Sequence, residues 1–149
     1  MSTAVVYGDI SPNVVDGSSI WLMSITETLS KTCDEVHLQL KMKPDNYRLL
    51  QSVDKIENVV LHLPPDTSSP LNEEAAVPVL ESLVNRVGAD ILVSRGLNLA
   101  HTLSRSSTLA PILWAYITDL PFPITKLSKT NVGRLQRISC LLYTSDAAD

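Results

Sequence analysis

The sequence predicts an α/β fold: a Rossmann-like parallel sheet with helices on both faces. Three observations carry that expectation. Short runs rich in Val, Ile and Leu recur along the chain and read as buried strands. Helix-compatible stretches separate them, as parallel pairing requires. Apolar residues make up 44% of the chain but aromatics only 5%, with a single Phe, so the core must be mostly Leu, Ile, Val and Ala. With 19% charged residues the chain is neither disordered nor a coiled coil, and 149 residues can bury a single-domain core.

Ala4–Tyr7 is the first strand, an apolar run that suits the middle of a sheet. A loop from Gly8 to Gly17 leads into a helix over Ser18–Lys31, with Ile20 or Trp21, Ile25 and Leu29 on one face and Ser18 as its N-cap. Glu35–Lys41 alternates strictly, Val36, Leu38 and Leu40 against Glu35, His37, Gln39 and Lys41. That pattern predicts a half-exposed strand near a sheet edge, with His37 solvated. Tyr47–Val53 is a short helix, and Val59–Leu63 a third strand ended by Pro64-Pro65. Pro64–Leu71 holds three prolines and two serines and is a loop. Glu73–Arg86 is a helix that accommodates Pro78 and ends at Gly88. A strand over Ala89–Ser94, a helix over Leu97–Arg105 and a strand over Ile112–Ile117 follow. Beyond Pro121 and Pro123, residues 124–139 are basic and helix-compatible.

In parallel sheets a ligand binds beyond the carboxyl ends of the strands. Polar and glycine residues concentrate there: Gly8-Asp9, Ser94-Arg95-Gly96 and Thr118-Asp119. The segment from Gly8 to Ser19 offers a helix start with open backbone N–H groups, an anion site if it is more than an ordinary cap. It is not a GxGxxG fingerprint or a P-loop, since Gly8 and Gly17 stand too far apart and no Gly-Lys-Ser/Thr follows. His37, His62 and His101 are spread at no metal-ligand spacing, so no metal is expected. Cys33 and Cys140 make no disulfide framework. A net charge of −4 argues against nucleic acid as a partner. No apolar run reaches the roughly 18 residues of a membrane span, and no basic-then-apolar leader is visible, which predicts a cytoplasmic location.

The run YGDISPNVVDGSSIWLMSITETL resembles the opening of bacterial family 4 glycosyltransferases, and ADILVSRGLNLAHTL and LWAYITDLP resemble that group's fourth and fifth strands with their loops. The similarity spans most of residues 4 to 139, and DGSSIW is its most distinctive part. The resemblance implies the N-terminal, acceptor-side half of a GT-B fold, in which two Rossmann-like domains face across a cleft. It implies retaining, metal-independent transfer from a nucleotide-sugar, with no further cofactor, to a sugar or lipid-linked acceptor. Gly17 matches the glycine that approaches the donor phosphate or sugar, flanked by Asp16, Ser18 and Ser19. Arg95, Gly96 and Asn13 edge the cleft. Thr118 and Asp119 fall where many relatives carry a His-Asp pair; the histidine is replaced by Thr118. The donor-binding domain, with its acidic pair, is expected beyond this sequence.

Other readings stand beside that one. Asp119 either orients an acceptor hydroxyl or caps a loop, and Arg95 either pairs with phosphate or an acidic acceptor or is a surface or domain-bridging arginine. His62 is expected as a satisfied structural histidine, and Trp21 as core rather than a stacking platform. Lys126, Lys129, Arg134 and Arg137 form a basic face that is solvated, or that meets a membrane surface, at its inner face, or an anionic acceptor. The class alternative to the enzyme is a non-catalytic Rossmann-like binding or interaction module. A receiver domain fits poorly, because the third strand ends in Leu63-Pro64 without a central Asp. Finally, residues 140–149, CLLYTSDAAD, resemble the translation of a transposase-based sequencing adapter at every position. Residues 1–139 are then the natural domain, and discounting Asp146 and Asp149 moves the net charge from −4 to −2.

Overall fold

A computed structural model describes residues 1–117 together with Gly133. Its strands are β1 (Thr3–Gly8), β2 (Glu35–Leu40), β3 (Val59–His62), β4 (Ile91–Arg95) and β5 (Leu113–Tyr116). Its helices are α1 (Gly17–Ser30), α2 (Gln51–Asp54), α3 (Glu73–Val87) and α4 (Leu97–Ser104), with a 3₁₀ turn at Ala110–Ile112 before β5. The five strands form one open sheet in the order β3-β2-β1-β4-β5, and every pairing is parallel. This is the Rossmann-like α/β arrangement that the alternation of strands and helices predicts.

β1 lies at the centre because its sequence is apolar on both sides. Ala4 and Val6 face a core built with Leu22 and Leu29 of α1, Val36 and Leu38 of β2, and Leu50 and Val53 around α2. Val5 and Tyr7 face the opposite core, with Ala76, Leu80 and Leu83 of α3 and Leu99 and Leu103 of α4. Helices α1 and α2 thus cover one face of the sheet, and α3 and α4 the other. Gly8 brings β1 close to α1: a Cβ there would stand 2.9 Å from Leu22 Cδ2 and 3.1 Å from Leu40 Cδ2.

The structure corrects three expectations. Strand β2 is not half-exposed at an edge. It lies between β1 and β3, and both His37 and Gln39 are buried, at 5% and 3% exposure. The polar residues on its second face are buried inside the protein, so polarity does not signal solvent here. Helix α1 is capped by Asp16, not Ser18, because the Asp16 carboxylate accepts from the Ser19 backbone N–H. Ile20 is exposed, and the buried stripe of α1 is Ser19, Leu22, Thr26 and Leu29.

Smaller shifts follow local chemistry. The segment around Tyr47–Leu50 makes turns before α2 closes at Gln51–Asp54. Helix α3 starts at an Asn72 cap whose side chain accepts from Ala75 N–H. It passes through Pro78 and stops at Gly88, whose φ of 64° is the left-handed conformation glycine adopts without a Cβ penalty. The expectations for residues 124–139, the basic cluster and the tail at 140–149 lie outside the described residues. Among the described residues no helix is long and apolar enough to cross a membrane.

The close β1–α1 approach makes a specific expectation. Gly8→Val should lower stability by about 2 kcal/mol through overpacking against Leu22 and Leu40, read by urea unfolding.

Candidate functional site

The sheet's strand order reverses at β1. From β1 the chain moves outward through β2 to β3, then returns past β1 to β4 and on to β5. Connections of one handedness then place helices on opposite faces, and the loops beyond β1 and β4 part. The crevice so formed is bordered by the start of α1 and the end of β4.

Residues from both sides meet there. The Arg95 guanidinium, at the end of β4, donates to Ser18 Oγ at the start of α1. The Arg95 Cζ also lies 6.0 Å from the centre of the Trp21 ring, at the outer limit for a cation–π contact. Trp21 in turn stacks on Tyr116 of β5, with ring centres 5.4 Å apart and planes 22° apart. Trp21 is therefore half-buried and acts as a platform beside Arg95 as well as packing on the core, where core alone was expected.

Gly17, the first residue of α1, is exposed, and a Cβ there would meet nothing within 4 Å. Its lack of a side chain leaves open space in front of the helix start. Asp16 and Ser19 form a reciprocal capping box. Asp16 Oδ1 accepts from Ser19 N–H at 2.9 Å, and Ser19 Oγ accepts from Asp16 N–H at 2.9 Å. Their polar atoms are engaged in holding the helix start. Gly96 sits at a φ of 95°, donates its N–H to Tyr116 carbonyl at 3.0 Å, and starts α4. Only glycine takes that backbone conformation readily.

Asn13 lies further along the loop. Its amide donates to the Asp45 carboxylate at 3.0 Å, and its carbonyl oxygen accepts from Asp45 N–H at 2.9 Å. It ties the β1–α1 loop to the segment after β2. Lys41 and Asp9, 2.9 Å apart, make a second tie at the same edge. These two contacts were not legible in the sequence, because they depend on register between β1 and β2. Thr118 and Asp119 lie outside the described residues.

Electrostatics distinguish one neighbour of the crevice. Burial, then the Asp9 and Glu73 carboxylates, hold the Tyr7 hydroxyl well above the ordinary phenol range. It stays protonated at neutral pH and is not available as a base. Among the described residues no group of three or more His, Cys, Asp and Glu side chains gathers where a metal ion could be held.

The fold and the crevice define the chain as an α/β protein of the Rossmann-like class with a crevice at the strand-order reversal. No protein-family model, curated protein or solved structure matches it.

The capping box carries a measurable consequence. Asp16→Ala should lower stability by about 1 kcal/mol by leaving the Ser19 N–H unpaired, while Asp16→Asn should retain most of the cap, both read by thermal unfolding.

Proposed function

We propose that this chain is the acceptor-side half of a glycosyltransferase of the GT-B type, moving a sugar from a nucleotide-sugar to an acceptor hydroxyl without a metal. The observation that supports it most is the meeting of Ser18 and Arg95 beside an unobstructed Gly17 at the switch point of the sheet. Separation of sugar from nucleotide leaves negative charge on a diphosphate. The first turn of α1 presents backbone N–H groups, and Arg95 supplies a cation on the same side of the crevice. Fixed donors of that kind stabilise departing charge without having to reorganise.

Roles follow within that reading. Gly17 is the approach point for the donor. Ser18 and Arg95 form the polar wall, with Trp21 and Tyr116 holding the arginine in place. Asp16 and Ser19 are positioning residues, since their capping box fixes the helix start. Gly96 sets the turn from β4 into α4, and Asn13 anchors the loop over the crevice. Thr118 and Asp119 remain the candidates for contact with the acceptor. The donor-binding domain would face this edge of the sheet from beyond the present sequence. The same capping box is also all that an ordinary helix start requires, which favours the second reading, a non-catalytic Rossmann-like binding module.

Two measurements separate the readings. The 149-residue chain alone should show little affinity for nucleotide-sugars by isothermal titration, and tight binding would contradict the assignment of the donor site to another domain. In the completed enzyme Gly17→Val should abolish most transfer yet change unfolding stability by no more than about 0.5 kcal/mol, because the added side chain enters open space. Loss of transfer and stability together would refute the role of Gly17.

A further inference from the structure

A groove on the other face of the sheet, between α3 and the edge strand β3, shares no residue with the crevice at β1 and β4. Its cavity of about 270 Å³ is lined by His62, Gln39, Ser82 and Arg86, with Val79 and Leu83 as apolar wall. His62 is half-buried, and its Nε2 lies 2.9 Å from Nδ1 of the buried His37. A bond between two imidazole nitrogens holds one proton, so one ring donates and the other accepts. Nε2 of His37 is buried and 3.2 Å from a Glu35 carboxylate oxygen, but the two are not aligned for a hydrogen bond.

The titratable and charged groups facing His62 are His37 and Glu35 from β2 and Arg86 from α3. Burial first, then His37 and Arg86, hold its pKa below the ordinary imidazole value, and Glu35 acts in the opposite sense. Arg86 is exposed in the last turn of α3 and makes no ion pair with any described residue. The groove therefore gathers an arginine that pairs with no described carboxylate, a half-buried histidine and a hydroxyl, against an apolar wall.

We propose that this groove is a second binding site, for a small organic anion whose carboxylate or phosphate group is held between Arg86 and His62. The Ser82 hydroxyl is a further donor, and Val79 and Leu83 receive the organic part of the ligand. The cavity lies just under the size range of sites for drug-sized molecules, which keeps the ligand small. The anion adds negative charge beside His62, so binding and protonation of His62 favour each other. With a free-state pKa below the ordinary value, His62 is neutral at mildly alkaline pH and takes up a proton as the anion binds.

The test uses the 149-residue chain and inorganic sulfate, whose charge is constant over the range needed. Histidine resonances are followed by NMR during titration with sodium sulfate, against sodium chloride at matched ionic strength. The expected result is a saturable response of His62, with sulfate bound about tenfold more tightly near pH ~5.5 than near pH ~8. Arg86→Gln, on an exposed side chain, should keep the amide spectrum of the fold and lose the sulfate response. The proposal is overturned by the absence of a saturable response at both pH values. It is equally overturned by an equal response to chloride, an undiminished response in Arg86→Gln, or binding that does not change with pH.

Discussion

The rest of the structure depends on the double parallel pairing of β1. Its residues Ala4, Val5 and Val6 have no exposed surface, and its backbone is paired to β2 on one side and β4 on the other. Each parallel neighbour needs a crossover long enough to hold a helix. Because the two neighbours lie on opposite sides of β1, their crossover helices must cover opposite faces. The two cores, with Ala4 and Val6 in one and Val5 and Tyr7 in the other, follow from that single constraint. So does the crevice between the β1 and β4 loops, which no local sequence feature would create alone.

That constraint also accounts for what could be read from the sequence. The strands and helices are visible as runs and periods, since burial on both faces leaves the runs at residues 4–6 and 91–93 continuously apolar. The crevice edge is visible too, because glycines and polar residues collect at strand ends. Gly88 and Gly96 mark positions where the backbone takes positive φ, and each stands at a helix boundary. Ser18 and Arg95 were both readable as candidates, though 77 positions apart, and only the β1–β4 pairing shows that they touch.

What could not be read was the fate of polar residues inside the fold. His37 and Gln39 alternate with Val36, Leu38 and Leu40, and alternation normally reports one wet face. Here α3 covers that face. His37 Nδ1 finds His62 on the neighbouring strand, and the Gln39 amide donates to the carbonyl of Leu40 on its own strand. The partner of His37 depends on the register of β2 with β3, in which Gln39 stands opposite His62. Trp21 packs on the core as its sequence suggests, and its additional stacking is concealed for a related reason. Its partner Tyr116 lies on the edge strand β5, 95 positions away, and stacking needs both elements in place. Contacts between distant segments are what a single sequence conceals.

The two polar regions have different logic. The crevice at β1 and β4 is made by topology and edged by a helix start, a glycine and an arginine. The groove at β3 is made by incomplete cover at a sheet edge, where His62 is only half-buried and Val60 is exposed. The first reading, half of a two-domain transferase, is tested most directly by sequencing an independent clone of the gene through and past codon 139. The account predicts an uninterrupted frame that replaces CLLYTSDAAD and runs on into a second α/β domain carrying an acidic pair. A frame that keeps those residues and stops shortly after Asp149 would contradict it.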